Sequence, residues 1–133
     1  MKKIVLAALA AFITVTPALA NNRVDSDTKL ERLLAGRVAG EPTRCISMYG
    51  NTSSQIIDGK AIVYRVGSKL YVNRPRSGAS TLNNDDILVT RTFGNRLCNI
   101  DTVNLVDRTS RFWRGFIVLG DFVPYTKVKP SAG

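Results

Sequence analysis

The chain has 133 residues, 19 of them lysine or arginine against 10 acidic ones, a formal charge of +9, and no histidine. That length suits one domain with one modest core. The missing histidine removes the commonest general base, the serine-histidine triads and most zinc sites.

Residues 1–20 have the form of a secretory leader. Lys2 and Lys3 give a positive start, residues 4–15 are a nearly unbroken apolar run, and Pro17-Ala18-Leu19-Ala20 places small residues where a signal peptidase reads them. Cleavage is expected after Ala20, and no later run reaches the roughly eighteen apolar residues of a membrane span. The remaining 113 of the 133 residues carry a net +7, because Lys2 and Lys3 leave with the leader. Twelve of the 17 remaining basic residues are arginine, whose planar fork of donors suits phosphate, sulfate and carboxylate. In a periplasmic or secreted protein this charge can draw lipopolysaccharide, an acidic glycan or nucleic acid. Because the arginines are spread along the chain, solubility alone is the competing explanation.

Residues 21–43 read as a polar segment and a short helix. Ser26 or Asp27 can cap a helix over residues 28–36, with Leu30, Leu33 and Leu34 on one face, Val38 at the next turn, and Gly36 or Gly40 near its end. Pro42 follows as a breaker. Cys45 and Cys98 are the two cysteines, and in an oxidising compartment one disulfide is the expected state. Closing a loop of this length contributes about 4 kcal/mol in the chain-entropy picture.

Residues 44–126 have the grammar of strands. Two runs rich in β-branched and aromatic residues, 61–66 and 69–73, are separated by Gly67-Ser68, which predicts a hairpin with a II′ turn. Its register pairs Val66 with Lys69 and Tyr64 with Tyr71, and puts Val63, Leu70 and Val72 on the opposite face. A second run, 87–93, leads through Gly94-Asn95 into 96–101, which predicts another hairpin. Val89, Phe93, Cys98 and Ile100 would share its inward face. Runs at 102–106 and 116–123 complete the set, and residues 127–133 read as a frayed tail. The pattern predicts a mainly β fold, a small antiparallel barrel or sandwich with one short N-terminal helix.

Between the last two runs lies Arg108-Thr109-Ser110-Arg111-Phe112-Trp113-Arg114-Gly115, with three arginines and the only tryptophan. Arginine forks beside flat rings can grip phosphate next to a base, a sugar or an acyl chain. Arg74 and Arg76 flank Pro75 in a second basic turn, and five arginines would converge if the two turns shared one end of the barrel. Otherwise Phe112 and Trp113 cap an open barrel end, with the arginines bordering them in water. Asn83-Asn84-Asp85-Asp86 lacks the ligand spacing of an EF-hand loop and is expected to be a turn. Asp58, Asp101, Asp107 and Asp121 could supply a carboxylate pair, but no nucleophile elbow, phosphate loop or dinucleotide fingerprint is present.

The order Arg44-Cys45-Ile46, Tyr71-Val72-Asn73, Leu97-Cys98-Asn99-Ile100-Asp101 and Leu119-Gly120-Asp121-Phe122-Val123-Pro124 resembles a family of small exported proteobacterial proteins of uncharacterised function. Members often carry four cysteines, and this chain has Ala79 and Ile117 where the additional pair stands. The resemblance therefore implies Cys45–Cys98 as the remaining bridge. It carries no activity, cofactor or metal.

These readings predict an exported, non-catalytic binding domain for an anionic envelope or extracellular ligand. Two alternatives are a hydrolase of cell-envelope polymers working through aspartates, and an inhibitor or accessory subunit of another exported protein.

Overall fold

The computed structural model describes residues 11–13, 21–50 and 52–129, with side chains from Asp25 onward in the first helix. Most of the leader read at 1–20, including its cleavage point, lies outside the described residues, as do Asn51 and residues 130–133 of the tail.

Helix α1 (Asn21–Leu34) begins seven residues before the helix expected at 28–36. Residues 21–27 contain neither glycine nor proline to stop it, and Ser26 lies inside the helix as a buried residue four positions before buried Leu30. Gly36 takes φ +71° just beyond its end, the left-handed stop that glycine adopts without strain. The chain then turns into strand β1 (Arg37–Ala39), so Val38 is 55% exposed on a strand and does not extend the helical face.

Nine further strands follow: β2 (Cys45–Ser47), β3 (Thr52–Ile57), β4 (Ala61–Val66), β5 (Lys69–Asn73), β6 (Asp86–Thr90), β7 (Arg96–Cys98), β8 (Thr102–Asp107), β9 (Trp113–Val118) and β10 (Phe122–Lys127). They form three antiparallel sheets, β1-β10-β5-β4-β3, β6-β8-β9 and β2-β7, stacked like a sandwich, with no barrel closure among the described residues. No described helix is long and apolar enough to cross a membrane.

The β4–β5 hairpin has the expected register, Val66 opposite Lys69 and Tyr64 opposite Tyr71. Gly67 supplies the positive φ, +61°, that the first central position of a II′ turn requires. Both faces of this hairpin are covered, for different reasons. Ala61, Val63, Leu70 and Val72 pack with Ile57 under Leu30, Leu33 and Leu34 of α1. On the other face Ile62 and Tyr64 join Ile46, Leu97, Val103, Leu105, Ile117, Leu119 and Phe122 in the inter-sheet core.

The second expected hairpin does not form. Gly94 does take a positive φ, +76°, yet β6 pairs with β8 and β7 pairs with β2. Leu88 stands opposite Leu105, and Leu97 opposite Ile46, so long-range apolar pairing outweighs the local turn signal. Leu97 is therefore the inward residue and Cys98 is only half-buried. Of the face expected to be apolar and inward, Val89, Phe93 and Ile100 are 41%, 101% and 80% exposed. Cys45 and Cys98 are register partners across β2-β7, joined by a disulfide with Cα atoms 4.0 Å apart.

Gly120 ends the turn between β9 and β10, where a Cβ would come within 2.3 Å of the Arg74 carbonyl oxygen. Buried Asn73 donates to the Gly120 carbonyl at 2.7 Å and accepts its N–H at 3.0 Å. That reciprocal pair joins two of the sequence motifs into one structural clasp.

Candidate functional site

The basic octapeptide is the tip of the β8–β9 hairpin, and one carboxylate organises it. Asp107 Oδ1 accepts the Thr109 N–H at 2.9 Å, the Ser110 N–H at 2.7 Å and the Ser110 hydroxyl at 3.0 Å. The two bonds from Ser110 are the main reason its carboxyl is held below the usual value, with Thr109 and the nearby Arg114 charge adding to them. Arg111 closes the loop by donating its N–H to the Asp107 carbonyl at 2.9 Å. It does so at φ +63°, the one non-glycine residue with positive φ among those described. A side chain in that left-handed region costs about 1–2 kcal/mol, and glycine would avoid the cost.

The three arginines of the octapeptide then part company. β9 carries a bulge at Arg114, since Val106 faces Trp113 while Leu105 already faces Gly115. A bulge re-aims a side chain, and Arg114 pairs with Asp86, whose carboxylate is only 1% exposed. Arg108 and Arg111 stay free of that pair and line a cleft of about 690 Å³ with Lys29 of α1, residues 54–56 of β3 and residues 84–88. That volume is within the usual range of small-molecule sites, about 300–1,000 Å³. With Asp86 engaged by Arg114, the charges facing the cleft are Lys29, Arg108 and Arg111 against Asp85.

Phe112 and Trp113 are 75% and 62% exposed. They are therefore surface residues and neither plugs a core. The Trp113 indole donates to Asn104 Oδ1 at 3.2 Å, which fixes the ring beside the sheet. Arg74 and Arg76 do not join the cluster. Arg76 donates its N–H to Val118, and Ser77 bridges the same residue, at the far end of β9 from Trp113. Five strand steps of roughly 3.3 Å separate the two ends.

The other aspartates are engaged in structural hydrogen bonds. Asp58 accepts the Asn84 N–H at 2.5 Å, Asp101 the Cys98 N–H at 2.7 Å, and Asp121 the Asn99 side-chain amide at 2.6 Å. Asn83 Oδ1 accepts the Asp85 N–H at 3.0 Å and the Asn83 carbonyl accepts that of Asp86 at 3.0 Å, so the expected turn is present.

Lys29, Ser54 and Gln55 belong to the cleft without having been singled out in the sequence. They are separated from Arg108 by more than fifty residues, and only sheet order and the seat of α1 bring them together.

Fold and cleft together define a disulfide-bonded, two-layered antiparallel β domain whose cation-lined cleft opens between two sheets. No protein-family model, curated protein or solved structure matches the chain.

Proposed function

We propose that the domain is exported and works by binding, without catalysis, an anionic ligand in the cleft beside the β8–β9 tip. The observation that carries this is the meeting of Lys29, Arg108 and Arg111 in one cleft whose buried carboxylate is already matched by Arg114. The strained φ of Arg111 adds support, because a turn chosen for stability alone would carry glycine there. The Cys45–Cys98 disulfide and the leader read at residues 1–20 support the periplasm or the outside of the cell. The shared ligand chemistry is phosphate or sulfate, as in lipopolysaccharide, an acidic glycan or nucleic acid.

The test follows Trp113 emission while heparin, lipopolysaccharide and short DNA are titrated at low and moderate salt. At least one ligand should shift the spectrum and lose affinity steeply as salt rises. Arg108→Gln and Arg111→Gln together should weaken it at least about tenfold, the scale of charge-assisted contacts. Arg111→Gly separates binding from folding, since it should be neutral or stabilising by up to about 1 kcal/mol while affinity still falls. Equal affinity in wild type and the double variant would overturn the cleft as the site.

A further inference from the structure

The cleft lies between two strand edges on which no described strand is paired. Among the described residues β3 pairs only with β4 and β6 only with β8, and no backbone hydrogen bond spans the space between them. The wide part of the cleft faces Ser54–Ile56 on one side and Asp86–Leu88 on the other. A narrower cavity of about 130 Å³ continues along the same strands, past Thr52 and Ser54 on one side and Leu88 and Thr90 on the other. As β3 runs back from 56 to 52, β6 runs forward from 86 to 90, so the two edges are antiparallel walls of one tapering groove. Each wall is a row of backbone donors and acceptors.

Natural edges are guarded by charge, proline or a bulge, and these are bare. β3 reads Thr-Ser-Ser-Gln-Ile-Ile and β6 reads Asp-Ile-Leu-Val-Thr, and the single charge, Asp86, is buried against Arg114. The narrow end holds a second sign of a missing partner. Tyr64, 4% exposed, lines that cavity, and its hydroxyl is buried with no hydrogen-bond partner among the described residues. A hydroxyl left so is costly.

We propose that an extended acidic peptide segment of a partner protein enters this groove as a strand between β3 and β6. The position rests on the cleft reading above, whereas the ligand class goes beyond it. Backbone N–H and C=O groups of the peptide meet the two open edges, the mode of strand addition. Alternate side chains, at a period of two, face the apolar Ile56, Leu88 and Met48. A carboxylate at the wide mouth meets Lys29, Arg108 and Arg111, which a neutral peptide would not exploit. A lipid tail would leave both rows of backbone groups unanswered, and a glycan's hydroxyls do not repeat at the strand spacing of about 3.3 Å.

The probe is a labelled octapeptide of alternating threonine and valine with one glutamate, made with the glutamate at either end and titrated into the disulfide-bonded protein by fluorescence anisotropy. One of the two should bind, and N-methylation of alternate residues should weaken it by more than about tenfold, since each methyl removes a backbone donor. Replacing the glutamate by glutamine should weaken it by about three- to tenfold and remove most of the salt dependence. Binding should also slow amide exchange in β3 and β6 and leave β1 unchanged. Heparin or lipopolysaccharide binding with no peptide binding would overturn the strand and leave the anion site standing. Indifference to N-methylation would overturn it too, as would concentration-dependent self-association that protects the same amides, which would make the occupant a second copy.

Discussion

Asp107 shows how much one exposed carboxylate can organise. It holds three donors of the loop that carries Arg108 and Arg111, so the direction in which the arginines point depends on its charge. The bonds from Ser110 come first among the causes that hold its pKa below the ordinary aspartate value. The sign of the linkage follows. A carboxyl depressed in the folded state adds stability above its ordinary value and loses it as pH falls through the depressed one. The tip should therefore keep its order as pH falls through the ordinary aspartate range and loosen only under stronger acid. The Thr109 and Ser110 amide shifts, followed by NMR against pH, should move with a midpoint below that of an unperturbed aspartate. A midpoint at the ordinary value would mean that the loop bonds do not hold the charge. Asp107→Ala should loosen the same two amides at neutral pH.

At the level of strands, the bulge in β9 decides what the octapeptide does. It takes Arg114 away from Arg108 and Arg111 and sets it on Asp86, the first residue of β6. Removing one member of a buried pair leaves the other uncompensated, at about 3–5 kcal/mol when both are fully buried. The Arg114 side chain is 37% exposed, so Arg114→Met should cost clearly less than that, because solvent screens the guanidinium end of the pair. Adding Asp86→Leu should recover much of that loss, and urea denaturation of the two single variants and the double variant measures both steps. A double variant no more stable than Arg114→Met alone would show that the pair contributes through β6 packing instead of charge. Strand by strand, what could be read in advance was local. The β4–β5 hairpin follows from a two-residue turn with glycine in the right place. The β6–β7 hairpin used the same grammar and was wrong, because Leu88 and Leu97 find better partners far along the chain in Leu105 and Ile46. The open edges of β3 and β6 were illegible for the same reason. A strand's sequence shows that it can pair, while the order of strands in a sheet decides whether it does.

Across the whole molecule, the short motifs around Cys45, Asn73, Cys98 and Gly120 turn out to be joinery. Asn73 clasps Gly120, Asp101 caps Cys98, and Ile46, Leu97, Leu119 and Phe122 fill the inter-sheet core, so these residues explain the scaffold and leave the cleft unmarked. The contacts that hold this scaffold are mostly long-range, which makes the covalent link between β2 and β7 influential. Two paired three-residue strands are marginal by themselves, and the Cys45–Cys98 bond closes them across a sequence separation of 53. A loop of that size restricts the unfolded chain by about 4 kcal/mol, a large share of a total stability of about 5–15 kcal/mol. Cys45→Ala with Cys98→Ala should lower the urea-extrapolated stability by about that amount. The change arises mainly in the unfolded state, so the β4–β5 hairpin and its two packed faces should persist in the variant under native conditions, as NMR shifts of Val63 and Tyr71 would report. A loss below about 1 kcal/mol would mean that the reduced unfolded chain is already compact enough to keep β2 near β7. Collapse of the β4–β5 signals would mean that the small sheet is required for the large one to form.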